Sequence, residues 1–110
     1  MKGMTNSIFE ISFENCVLDF SKFYALRIKG TVFTKCSLVA VDFMAADLTG
    51  VIFDGCDLYR TEFSKALAQK ANFSTSFNYT IDPEKTKIKN ASFSLNEVKG
   101  LLYKHDIIVK

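Results

Sequence analysis

The sequence predicts an all-β fold made of short extended segments in tandem, and three observations predict it. From Phe13 to Phe63 every fifth residue is large and apolar: Phe13, Leu18, Phe23, Ile28, Phe33, Leu38, Phe43, Leu48, Phe53, Leu58 and Phe63. The residue two places before each is uncharged and mostly small, as in Cys16, Ser21, Thr31, Cys36, Val41, Ala46, Val51, Cys56 and Thr61. The positions left over hold Lys, Asp, Glu, Ser, Thr, Tyr and Gly. A five-residue period matches neither the helical nor the alternating-strand period, whereas residues two apart point the same way in extended backbone. Each unit therefore sends one large and one small side chain to a shared interior, and a tandem pattern of this kind outweighs local propensity.

Stretches such as Ala46-Asp47-Leu48-Thr49-Gly50, Cys56-Asp57-Leu58 and Ala71-Asn72-Phe73-Ser74 resemble the pentapeptide-repeat family, over about residues 6 to 95. The resemblance implies a right-handed, four-sided parallel β-helix, with one pentapeptide per side and four per coil. In such a coil residues twenty apart share a wall, and the sequence keeps this second period. Phe13, Phe33, Phe53, Phe73 and Phe93 form one column, Leu18, Leu38 and Leu58 a second, and Phe23, Phe43 and Phe63 a third. Ile28, Leu48, Ala68 and Ile88 make a looser fourth, while Cys16, Cys36, Cys56 and Ser76 line up at the small position. Like side chains one coil apart pack as ladders.

Length and composition fit one compact domain: 110 residues, 48% hydrophobic, 14% aromatic and a net charge of +2, which argues against disorder. The β-helix, of about four coils, is assigned to residues 1–94 and a C-terminal cap to 95–110. The repeat falters near 78–87, where Asn78 and Pro83 occupy large-residue positions. Ser94 and Glu97 form a capping box, and Leu95, Val98, Leu101 and Leu102 have helical spacing. A short helix over about 95–104 and a tail strand after it are therefore expected to cover the open end of the solenoid. Repeat character starts at about Asn6 to Ile8, so the N-terminal coil end is expected to be open and to drive homo-oligomer formation. The resemblance implies relatives that are longer on this side. No apolar run has the length of a membrane span and no signal-peptide core follows Met1-Lys2-Gly3-Met4, which predicts a cytoplasmic protein without a membrane partner.

The residues that usually carry chemistry are accounted for by the repeat. Three cysteines are an odd number, their side chains face a filled interior, and a reducing compartment keeps them as thiols, so they count as small buried hydrophobes. Zinc is disfavoured because His105 is the only histidine and no Cys-x-x-Cys pair exists; no cofactor is expected. Asp42, Asp47, Asp57 and Glu62 each precede a large residue and so project outward into solvent. Gly30, Gly50 and Gly55 fall at the corners rather than in a phosphate cradle. With no convergent pocket, catalysis is not expected.

What remains is the outer surface. Val17, Phe20, Val39, Tyr59, Phe77 and Tyr79, together with the carboxylates of Asp42, Asp47, Asp57 and Glu62, form the candidate interaction surface. The apolar set marks either a protein interface or a wall covered by the cap or by further chain. The first functional reading is a non-enzymatic scaffold that presents flat β-walls to a protein partner. The second comes from the resemblance alone, whose best-known members mimic a DNA duplex and bind DNA gyrase. That mimicry needs a long acidic surface, since a duplex carries about one charge per 1.7 Å. Here the acidic stretch is short, Asp42, Asp47, Asp54, Asp57 and Glu62 against the one cation Arg60 between Leu38 and Phe63, and lysines predominate from Lys65 onward. Four coils amount to only about 20 Å of rod, and no loops interrupt the repeats from Phe13 to Phe63. Direct nucleic-acid binding is disfavoured, because the cations alternate with acids and line no aromatic groove.

Overall fold

The computed structural model describes residues 11–94, and it carries a twenty-residue register throughout. Three short strands, β1 (Ser12–Glu14), β2 (Val32–Thr34) and β3 (Ile52–Asp54), pair in parallel with Phe13, Phe33 and Phe53 opposite one another. Isolated parallel bridges repeat that offset on three further sides: Val17–Ser37–Asp57–Phe77, Lys22–Asp42–Glu62 and Arg27–Asp47–Leu67–Lys87. The chain thus winds through coils 11–30, 31–50, 51–70 and 71–90. Each coil has four walls of five residues; wall 1 holds the strands, and walls 2, 3 and 4 begin at residues 16, 21 and 26 of the first coil.

The backbone explains why no strand grows longer. Within a wall, amides alternate in direction: Leu18 N–H donates up to the carbonyl of Ser37 (2.8 Å) and Ser37 N–H donates down to that of Cys16 (2.9 Å). After each such step the chain turns a corner. Every fifth residue from Asn15 to Lys70 has a positive φ, and the amide after most of these corners closes back on the carbonyl three residues earlier, as Ser21 N–H does on Leu18 (3.0 Å). That combination is a type II-like turn, which needs the left-handed region at its third residue.

The interior is filled as the columns predict. Phe33, Phe43, Phe53 and Phe73 are fully buried, as are Leu38, Leu48 and Leu58, and Phe63 is nearly so. Rings of the wall 1 column form a near-parallel, offset stack with centroids 5.1 to 5.3 Å apart (Phe13–Phe33 5.1, Phe33–Phe53 5.3, Phe53–Phe73 and Phe73–Phe93 5.2 Å). They meet the wall 3 column edge-on, Phe33 against Phe43 at 6.2 Å and 76°. Both arrangements suit the quadrupole of an aromatic ring. In the first coil Phe13, Cys16, Leu18, Phe23 and Ile28 are only half-buried, and Leu26 stands at an inward position yet is 48% exposed, where Ala46 and Ala66 are fully covered.

The irregular stretch corrects one assignment. Tyr79 does not face outward; it is 2% exposed, with its ring 5.8 Å from Phe73 and 5.7 Å from Phe93. The cause is the corner, which arrives two residues early: Asn78 takes φ 63°, which an Asn tolerates, so the residue after it swings inward. Ile81 is likewise buried. Together they replace the large side chains that Asn78 and Pro83 do not provide. A turn at Asp82 follows, with Lys85 and Thr86 N–H both donating to its carbonyl (2.9 and 3.0 Å), and register returns where Lys87 pairs with Leu67 and Ser92 with Asn72. The helix expected over 95–104 and the tail strand lie outside the described residues.

Two measurements check this packing. Phe53→Ala empties the centre of the aromatic stack and is expected to cost about 3–5 kcal/mol in urea unfolding, with Phe13→Ala costing clearly less because Phe13 is half-exposed. Gly50→Ala meets nothing within 4 Å, but Gly50 has φ 70°. Its expected cost of about 1 kcal/mol is therefore conformational.

Candidate functional site

Wall 2 carries most of the apolar residues that reach solvent. Val17 is 76% exposed, Phe20 72%, Tyr59 54% and Phe77 40%, while Val39 is half-buried and Tyr79 leaves the set. The register also shows how they are spread. Val17 and Phe77 end one column with Ser37 and Asp57 between them, so they do not touch. Asp19 crosses the gap, its Oδ1 accepting the Ser37 hydroxyl (2.6 Å) and the Val39 N–H (3.0 Å). Tyr24, 58% exposed, is an outward aromatic of the next wall that was not among the sequence candidates. Its signal was available, since it directly follows the inward Phe23.

The carboxylates behave differently from expectation. Asp42, Asp47, Asp57 and Glu62 are half-buried, and each accepts the backbone N–H two residues ahead: Met44 at 2.9 Å, Thr49 at 3.1 Å, Tyr59 at 3.1 Å and Ser64 at 3.2 Å. The Thr49 and Ser64 hydroxyls add a second bond to the same oxygens. Asn72 does the same for Ser74 (2.9 Å), with no charge involved. These are Asx-type turns, in which a short polar side chain satisfies an amide that the corner leaves unpaired. The register also separates the four acids. Asp42 and Glu62 stack on wall 3, whereas Asp47 lies on wall 4 and Asp57 on wall 2. They do not converge on a site, and they do not make a continuous acidic rod.

The cysteine column has a structural task as well. On wall 1 the Phe13 and Phe33 carbonyls accept the thiols of Cys36 (3.4 Å) and Cys56 (3.3 Å) one coil on. In the fourth coil the Ser76 hydroxyl donates to Phe53 in the same way. Thr61 and Thr86 repeat the device at other corners, reaching Leu38 and Phe63 at 2.7 Å. Cys16, Cys36 and Cys56 are free thiols, and burial pushes Cys56 up from its ordinary 9.0 to about 11.

Two shallow grooves open on the surface. One, of about 300 Å³, lies between Arg60, Glu62, Ser64 and Asp82; the other, of about 610 Å³, lies at the corner of walls 3 and 4 among Lys65, Lys85, Lys87 and Lys89. Among the described residues no three potential metal ligands gather, and no helix is long and apolar enough to cross a membrane.

Parallel coils of four five-residue walls around a filled interior define a four-sided β-helix of the pentapeptide-repeat class. The chain belongs to the pentapeptide-repeat family: the family model described as a pentapeptide repeat region matches residues 6–101. Among solved structures it is similar to two trypsin-treated forms of QnrB1, a plasmid-mediated fluoroquinolone resistance protein. Both are 12% identical, with TM-scores of 0.77 and 0.70 over 94% and 86% of this chain. The match covers 50% and 44% of those chains, so this chain spans about half their length. A pentapeptide repeat protein from the Arabidopsis thaliana thylakoid lumen is 21% identical over 74% of this chain and 57% of its own, at a TM-score of 0.43. No curated protein sequence matches the chain. The similarity to QnrB1 shows the right-handed β-helix and nothing about activity.

The thiols provide a test of the interior. Cys16, half-buried, is expected to react with a disulfide reagent before Cys36 and Cys56, which should need unfolding. A pKa of about 11 in the fold against 9.0 outside it means that the Cys56 contribution to stability is complete below pH 9 and is lost as pH rises towards 11. Cys56→Ser should flatten that fall in a denaturation series across this window, since Ser76 shows that a hydroxyl fits the column.

Proposed function

We propose that the chain is a non-enzymatic scaffold that presents flat β-walls to another protein. The observation that carries this is Phe20. It is 72% exposed and holds φ 66°, a conformation that costs a bulky L-residue about 1–2 kcal/mol. Neither the interior nor the corner gains from a phenyl ring there, so its use lies outside the fold. Tyr59 and Val39 extend the same wall, and large aromatics on a rigid flat surface are the usual anchors of protein interfaces. Catalysis has no support, because the acids are engaged in turns and the thiols in the core.

A second reading, a DNA mimic acting on gyrase, is supported by the similarity of fold to a fluoroquinolone resistance protein. Against it stand the three walls over which Asp42, Asp47, Asp57 and Glu62 are distributed.

The two readings separate in one set of experiments. Protein captured from the native host by the wild-type chain should be lost about tenfold or more with Phe20→Ser/Tyr59→Ser, and unchanged capture overturns the scaffold reading on this wall. Gyrase supercoiling with and without a fluoroquinolone should be unaffected by a large molar excess of the chain; protection of the enzyme would favour the mimic. Phe20→Gly should leave stability unchanged or raise it by up to about 1 kcal/mol in urea unfolding.

A further inference from the structure

Folding sorts the cations in a way their order along the chain does not reveal. The outward column of wall 4 runs Arg27, Asp47, Leu67, Lys87, so Lys87 sits directly beyond Leu67. On either side the backbone sets lysine against lysine: Lys65 N–H donates to the carbonyl of Lys85 (2.6 Å) and Lys70 N–H to that of Lys89 (2.9 Å). All five of these lysines are exposed, and Lys65, Lys85, Lys87 and Lys89 rim the groove of about 610 Å³ with Leu67, Gln69 and Ile88 on its floor. The charges are therefore held on coils 51–70 and 71–90, on wall 4 and at its corner with wall 3. Like charges set side by side on neighbouring strands destabilise a sheet, so the fold by itself does not favour this arrangement.

We propose that this part of wall 4, with its corner to wall 3, docks an extended acidic segment of a partner protein, with Lys65, Lys70, Lys85, Lys87 and Lys89 pairing to its carboxylates. The inference rests on the scaffold reading and names the wall and the partner chemistry. Lys87 and Lys89 flank the inward Ile88 on wall 4, so they leave that wall on one side about 7 Å apart, with Lys85 exposed at the preceding corner. An extended peptide with acids at every second residue presents carboxylates at the same interval. Leu67, outward between the cations, offers an apolar contact to the partner's intervening side chains. A phosphodiester backbone fits less well. Glu84 stands in the groove itself and Asp47 interrupts the same column, which breaks the positive track a polyanion of uniform charge would follow. No aromatic side chain lines the groove to stack on a base. Complementary charge of this kind raises the rate and the specificity of association.

The test is fluorescence anisotropy at moderate salt with three labelled probes. These are a peptide alternating Glu and Thr, a peptide of the same composition with its glutamates contiguous, and a short DNA duplex. The alternating peptide should bind the wild-type chain about threefold or more tighter than the contiguous one. Lys85→Gln/Lys87→Gln/Lys89→Gln should weaken it about tenfold or more, while Lys22→Gln/Lys35→Gln, on walls 3 and 1, should change it less than about twofold. Thermal unfolding of each variant confirms the fold. No binding of either peptide, or equal losses in the two lysine variants, overturns the proposal. So does tighter binding of the duplex, which would make the occupant a nucleic acid. If Phe20→Ser/Tyr59→Ser abolishes peptide binding while the wall 4 variant retains it, docking moves to wall 2; wall 4 is then wrong and the scaffold reading stands.

Discussion

A coil of four pentapeptides encloses room for only one large and one small side chain per wall, so no coil has a core of its own. Each buries its apolar surface only against the coils before and after it, and the hydrogen bonds that set the twenty-residue register decide what meets what. Leu18 to Ser37 and Ser37 to Cys16 are one instance of a ladder that recurs on every side. Because the offset is fixed, Phe33 lies between Phe13 and Phe53 and the rings stack at just over 5 Å. A slip of one residue would turn every inward side chain outward at once. The register therefore holds the core together and, by the same act, composes the outer walls.

The corners impose the second demand. A turn every five residues leaves amides and carbonyls that no neighbouring coil can reach, and buried backbone groups are costly when unpaired. Asp42, Asp47, Asp57, Glu62 and Asn72 meet that demand from outside, Cys36, Cys56, Ser76, Thr61 and Thr86 from inside. The residue types that suggest chemistry in a sequence, thiols and paired acids, are thus engaged in holding the solenoid together. The proposed contacts use side chains the solenoid does not need, the aromatics of wall 2 and the lysines of wall 4 and its corner with wall 3.

How far the sequence could be read follows from the same physics. The Phe and Leu columns were legible because an inward position tolerates few residue types, and twenty-residue coincidence exposes a coil directly. The role of Asp47 was legible in principle, because an Asp or Asn just before a large residue is the mark of an Asx turn, but the acid could equally be read as solvated. Tyr79 was misplaced because counting in fives continues through Asn78, whereas the chain turns there two residues early. Tyr24 was missed although its place beside Phe23 made it outward. The lysines after residue 64 were visible as a run of charge, and the twenty-residue period sets Lys65 with Lys85, but only across the irregular stretch near 78–87, where counting in fives fails.

By itself the sequence determined the period, the nested coil length and the inward columns, since side-chain size at every fifth position is constrained by a cavity of constant cross-section. Past the irregular stretch near 78–87, only the tertiary structure decided which outward residues are neighbours. That depends on where each corner falls and on contacts twenty residues apart, as between Leu67 and Lys87 or Lys65 and Lys85. Outward positions carry no packing constraint to betray their partners in the sequence, and so the proposed interaction surface was the part that had to be seen folded.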